Sequence, residues 1–573
     1  MALIRAPIDR CEFIARKKEE NKDMSLGLNI NEIRRREYRE KGYWGDATLL
    51  DYWNMTVLSM PEKMAVIDGQ NQSYTYRALD QAAERVAGFL EKSGVHSGEF
   101  VSFQIPGWSE FTLIYIACLK VGAVANPILP SYRINELSYI LNKCETKVFF
   151  CPVSYRNYDY RNMMGAIKAA VSSLQRIVFV EKDESAQEQY TLRKILQDQD
   201  NLDFKSGRKC GADDLAAVLF TSGTEGQSKG VMFTHNNIIA SERAYTARMH
   251  LTCYDKILMP APLAHATGFH HGVTASFMLG ATNVLQDRFN AVRSLELIAA
   301  DRCTCTMGPT PLVYDMIQIL QKTAYDISSL RFVLCGGAAI PPYIVREALK
   351  LGIHVLDVYG STESTPHAAT RLEELSGRAD NLYGYAVPGV EMAVVDEQRQ
   401  RVPLGKEGEE ISRGPNVFVG YLKDEALTAK VLDANGWYYS GDLCVMNERQ
   451  GIRITGRKKD VIIRGGENIS SNEVESILIE HPDIKDVSVV SMPDDRLGEK
   501  ACAYVILADG SKGVGLEDVR SFFAKRHVAK YKTPERVEIV SAFPRTSTGK
   551  VRKVDLRRDI REKLQREVRR NAG

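Results

Sequence analysis

Strand-length apolar runs alternate with helix-spaced apolar residues along most of this 573-residue chain, and that alternation restricts its fold more than any other feature. Residues 65–68 read as a strand; Leu79, Ala82, Val86 and Leu90 then recur at helical spacing ahead of Gly94, a C-terminal cap. Residues 101–105 read as strand, 109–121 as helix, and a further strand runs toward Ile128. The pattern resumes with helix at 295–300, strand at 303–307, helix at 311–321 and strands at 332–335 and 355–358. Strands and helices taking turns predict an α/β chain with parallel pairing, here a large multi-subdomain N-terminal domain of layered α/β sheets. The last two strands run into Gly336-Gly337-Ala338-Ala339 and Tyr359-Gly360-Ser361-Thr362-Glu363. Such turns lie outside the carboxyl ends of the strands, where this fold class binds ligands.

A length prior of about four domain-sized units rules out a single core. Residues 1–50 are charge-rich and read as a surface extension, 51–456 as the large domain. After Gly456 a charged break opens a small, mobile α+β domain, 457–573, ending in a basic helix. Lys+Arg 75 against Asp+Glu 73 leaves +2, so no global field points to a nucleic-acid partner. Eleven cysteines without a CxxC pair fit free thiols in a reducing compartment. Cys303 and Cys305 read as core thiols sharing one strand face. Charges interrupt the N-terminus where a signal peptide needs its apolar region, and no stretch reaches the roughly 18 uninterrupted apolar residues of a membrane span. A cytoplasmic location is expected, with peripheral membrane contact through the basic N-terminal cluster or the basic C-terminal helix as the membrane associations to consider.

Residues 221–230, Thr-Ser-Gly-Thr-Glu-Gly-Gln-Ser-Lys-Gly, follow the apolar run 214–220 and lead into a second short strand at 231–235. Three glycines, several hydroxyls and Lys229 make a loop whose N–H groups and hydroxyls can surround phosphate oxygens. An ordinary polar turn has a similar composition. A Walker loop is excluded by spacing: counted from Gly223, Ser228 stands where its second glycine belongs, and Gly230 follows the lysine.

Four further segments stand downstream in order: residues 359–363; Tyr439-Ser-Gly-Asp442; Gly456-Arg-Lys-Lys-Asp460 with Gly465-Gly466-Glu-Asn; and Pro544-Arg-Thr-Ser-Thr-Gly549-Lys550. Together the five resemble the adenylate-forming superfamily of acyl-CoA synthetases, luciferases and peptide-synthetase adenylation domains. Glu225 and Ser228 depart from its usual Thr and Pro. Within that superfamily the chain is most similar to bacterial medium-chain or short-chain fatty acyl-CoA synthetases. The resemblance implies that Thr221, Ser222, Gly223, Thr224, Glu225, Gly226 and Lys229 hold the ATP phosphates, with Ala338, Gly360, Ser361 and Thr362 also against the nucleotide. It sandwiches adenine between Gly337 and Tyr359, sets Asp442 on the ribose hydroxyls and adds Arg457. Glu363 and Thr224 would hold Mg²⁺.

Lys550 would supply positive charge where a carboxylate attacks the α-phosphate. The implied chemistry is carboxylate plus ATP to acyl-AMP and pyrophosphate, then attack by the coenzyme A thiol. Lys459 would be the hinge, and Gly465 and Gly466 would line the CoA channel. His265 would sit where acyl pocket meets channel. Three histidines at 265, 270 and 271 also invite zinc, but no Cys, Asp or Glu joins them locally. His270 and His271 receive no role. Phe269, Gly308, Val313 and Ala339 are the expected acyl-pocket walls, suited to an aliphatic tail. An aryl or alicyclic acid, a carrier-protein acceptor, or a non-catalytic nucleotide-binding protein are the alternatives.

Overall fold

In this computed structural model the described residues are 29, 31–69, 72–181, 190–198, 200–201, 204, 207, 209–221, 228–336, 340, 342–372, 383–464, 467–494, 497–526, 528, 530–546 and 549–571. The alternation of strands and helices produces two parallel-cored sheets. One has nine strands: Met64–Asp68, Thr282–Leu285, Lys256–Met259, Cys305–Gly308, Phe332–Gly336 and Val355–Ser361 run parallel at its centre, with antiparallel strands at both edges. The other has six. Leu215–Thr221, Val124–Pro127, Phe100–Phe103, Val148–Pro152 and Arg176–Val180 are parallel, and Lys229–Thr234 closes one edge antiparallel.

The largest apolar cluster combines side chains from both sheets and from the helices Tyr76–Lys92 and Ser109–Val121. All thirteen residues of Ser109–Val121 are buried, as a helix apolar on every side requires. Lys120, which interrupts its apolar run, is buried too and pairs with Asp80 at 2.7 Å and Glu84 at 3.4 Å. Gly94 adopts φ +73° just beyond the end of Tyr76–Lys92, the left-handed stop anticipated there.

Two expectations are corrected. Cys303 lies before the strand Cys305–Gly308, not on it, so alternation does not apply. Its thiol packs among the outer helices, while Cys305 belongs to the central cluster. The strand at 355 also runs three residues past Val358, through Ser361. Gly360 makes this possible: a Cβ there would stand 1.9 Å from the Thr365 carbonyl oxygen, so only glycine lets the partner strand Thr365–Ala369 approach. The small-residue segment is thus a tight hairpin with Glu363 in its turn.

A four-stranded antiparallel sheet, Glu391–Val395, Glu407–Arg413, Tyr438–Met446 and Ile452–Arg457, ends at a 3₁₀ turn, Lys458–Asp460. Beyond it lies a five-stranded sheet with its own core and the helices Ser471–Leu478, Leu516–Lys525 and Lys553–Asn571. The described cysteines are all free. Among the described residues no helix is long and apolar enough to cross a membrane.

Candidate active site

The site forms where the sheets meet. The chain around Tyr421 adds itself to the free edge of Lys229–Thr234: Met232 N–H donates to the Gly420 carbonyl, Val419 N–H to Met232 and Leu422 N–H to Gly230. Just before it, Phe418 N–H donates to the Glu363 carbonyl at 2.8 Å. This segment therefore ties the phosphate-loop strand to the Glu363 hairpin. Tyr421 hydroxyl donates to Glu363 Oε1 at 2.7 Å, and the Lys229 ammonium stands 5.3 Å from the Tyr421 ring centroid. Burial, then the Glu363 charge, push the Tyr421 phenol far above its ordinary range, so it stays a donor.

Backbone register builds the second half. The ladder between Tyr438–Met446 and Ile452–Arg457 sets Asp442 opposite Arg457, and Arg457 Nε lies 2.9 Å from Asp442 Oδ1. Tyr359 hydroxyl reaches the other oxygen, Asp442 Oδ2, at 3.0 Å, and lies 3.3 Å from the buried Glu410. Burial raises the Asp442 carboxyl, while Arg457 pulls it back down. Ser361 Oγ contacts the Tyr438 hydroxyl at 3.3 Å.

Lys550 lies in the loop that precedes the helix Lys553–Asn571. Its loop is a small hydrogen-bonded tip: Thr546 N–H donates to the Lys550 carbonyl, Lys550 N–H to Thr546 Oγ1, and Gly549 turns at φ +84°. Lys550 is exposed, yet the protein around it, then the Arg457 charge, lower its ammonium pKa; Asp442 opposes them. The same ammonium is felt by His265, whose pKa falls to about 4 through burial first, Lys550 second and His271 third. His265 Nδ1 accepts from Thr267 N–H at 3.3 Å, which leaves any proton on Nε2. The Lys550 charge thus acts on Asp442 and His265 and is itself opposed by Arg457.

Other expected positions fall differently. Phe269 is fully buried in the central cluster against Tyr115, with ring centroids 4.6 Å apart. Val313 belongs to a separate outer cluster. The helix Thr310–Leu320 turns Leu312, Val313, Met316 and Ile317 inward together, so Val313 and Phe269 do not form one wall. Gly308 leaves little room, since a Cβ there would meet Leu312 Cδ1 at 2.9 Å. Ser222, Gly223, Thr224, Glu225, Gly226, Gly337, Ala338, Ala339, Gly465 and Gly466 lie outside the described residues, as does the Lys459 side chain.

Residues 265–271 sit at a π-helical turn, Thr267–Thr274. His270 is fully buried between Phe233 and Phe269, and neither ring nitrogen has a hydrogen-bond partner among the described residues. His271 Nδ1 lies 3.0 Å from Glu242 Oε2. Among the described residues no three His, Cys, Asp or Glu side chains are grouped to hold a metal by themselves. A Mg²⁺ ion bound chiefly by phosphate oxygens needs one protein carboxylate, and Glu363, oriented by Tyr421 beside Lys229, fits that demand. Sequence reasoning gave no role to Tyr421, Tyr438 or Glu410, whose places depend on long-range pairing.

Comparison with known proteins follows the same lines. Residues 55–422 match the AMP-binding enzyme family, and 473–550 match the AMP-binding enzyme C-terminal domain. A medium-chain fatty-acid–CoA ligase of Escherichia coli (strain K12) is 52% identical over 95% of this chain and 96% of its own length. Enterobactin synthase component E of the same organism is 31% identical over 91% of this chain and 96% of its own. The crystal structure of ATP-bound MatB from Rhodopseudomonas palustris superposes with a TM-score of 0.81 at 28% identity, covering 90% of this chain and 99% of that one.

Proposed function

The chain belongs to the AMP-binding enzyme family, and from that premise we propose how its site works as an AMP-forming, medium-chain fatty acid–CoA ligase. It converts a fatty acid and ATP to acyl-AMP and pyrophosphate, then acyl-AMP and coenzyme A to acyl-CoA and AMP. The observation that carries the reading is the pairing of two clusters, Asp442 held by Arg457 and Tyr359, and Glu363 held by Tyr421 beside Lys229.

A carboxylate attacking an α-phosphate brings two anions together. Lys550 supplies fixed positive charge at that meeting point, and Lys229 does the same on the outer phosphates. Asp442 accepts the ribose hydroxyls, with Arg457 and the Tyr359 hydroxyl holding its two oxygens in place. Tyr359 offers its ring to adenine. Glu363, with Thr224, holds Mg²⁺, which neutralises charge on the phosphates when bound. His265, neutral near pH 7, borders the acid and the incoming thiol without adding a charge. Each CH₂ of the acid tail buried in an apolar pocket contributes about 0.8 kcal/mol.

For the second step the unit beyond Arg457 turns about Lys459, withdrawing Lys550 and bringing Gly465 and Gly466 to the thiol channel. The free cysteines fit a cytoplasmic setting. A panel of acids assayed by pyrophosphate release tests the substrate: hexanoate to octanoate are expected to give the highest kcat/KM. Preference for benzoate-like acids would replace this reading with an aryl-CoA ligase.

A further inference from the structure

Glu242 is a buried carboxylate that the mechanism above does not use. It lies on the helix His235–Arg248, which begins where the phosphate-loop strand ends. One oxygen, Oε2, takes His271 of the π-helical turn at 3.0 Å; the other, Oε1, takes Ser241 Oγ at 2.9 Å. Ser241 Oγ is also 2.9 Å from Thr365 Oγ1, and Asn416 Nδ2 donates to Thr365 Oγ1 at 3.2 Å and to the Ser364 carbonyl. None of these five side chains is more than 2% exposed, so water does not compete for the bonds.

The hydroxyls join these groups into one continuous chain. A carboxylate only accepts, and the single Ser241 proton lies within reach of both Glu242 Oε1 and Thr365 Oγ1. Thr365 in turn donates to the Ser364 carbonyl at 2.7 Å, which Asn416 also serves. Thr365 stands two residues after Glu363 at φ +51°, a conformation a β-branched residue holds only when its surroundings fix it.

We propose that Glu242 is a positioning residue with two arms: through Ser241 and Thr365 it fixes the hairpin carrying Glu363, and through His271 it fixes the turn that follows His265 and carries Phe269. The first arm acts on the nucleotide, the second on the acid. This inference rests on the assignment of Glu363 to the metal and phosphates.

The test is steady-state kinetics of purified full-length variants with ATP and octanoate varied separately, together with melting temperatures. Ser241→Ala and Thr365→Ala are expected to raise KM for ATP about tenfold and leave KM for octanoate unchanged, whereas His271→Asn does the reverse and Glu242→Gln raises both. Thr365→Ser keeps the hydroxyl and is expected to retain the parental KM for ATP. Equal KM values in Thr365→Ala and Thr365→Ser, or a fall in melting temperature with every KM unchanged, would overturn the proposal. A Glu363→Gln enzyme with parental rate and KM for ATP would instead remove the Glu363 assignment, and the inference with it.

Discussion

Lys550 has the same chemistry in sequence and in structure, but its surroundings change what it does with pH. The surrounding protein and the Arg457 charge both favour the neutral amine, so its pKa falls below the ordinary value of 10.5. The charged form is the active one, so adenylation is lost as pH rises through that lowered value. The alkaline limb of the adenylation rate should therefore lie below the ordinary lysine range, and Lys550→Arg should move it upward, because a guanidinium stays protonated. A limb unmoved by Lys550→Arg would assign it to another group. Lys550, Asp442 and Glu363 were legible as residues because short motifs surround each. Tyr421 was not: its position beside Lys229 depends on pairing between residues 419–422 and the strand Lys229–Thr234, and nothing local encodes that partner.

At the scale of elements, the helix Ser109–Val121 appears with the bounds that its apolar run predicts, because burial on every side needs no tertiary knowledge to detect. The hairpin around Glu363 was misread as a turn, since its strand pairing depends on a carbonyl approaching Gly360 from the partner strand. The π-helical turn carries a similar constraint. A Cβ on Gly268 would stand 2.4 Å from the Pro262 carbonyl oxygen and 2.6 Å from Leu263 Cα, both backbone atoms that cannot swing aside. Gly268→Ala is expected to destabilise the protein by about 1–3 kcal/mol. Thermal unfolding checks this, and an unchanged melting temperature would mean that the turn yields more easily than its packing implies.

Across the whole molecule, alternation specified the α/β layers but not which strands sit in which sheet, because sheet order follows from long-range pairing. The charged break after Gly456 falls at the 3₁₀ turn Lys458–Asp460, between two sheets. The account's central claim is that the enzyme joins a carboxylate to AMP before any thiol takes part. ATP–pyrophosphate exchange without coenzyme A tests it most directly. With a medium-chain acid and magnesium, the parent enzyme should move labelled pyrophosphate into ATP, and Lys550→Ala should lose at least about a hundredfold in rate. An enzyme for which no acid supports exchange, or a Lys550→Ala variant that exchanges at the parental rate, would contradict it.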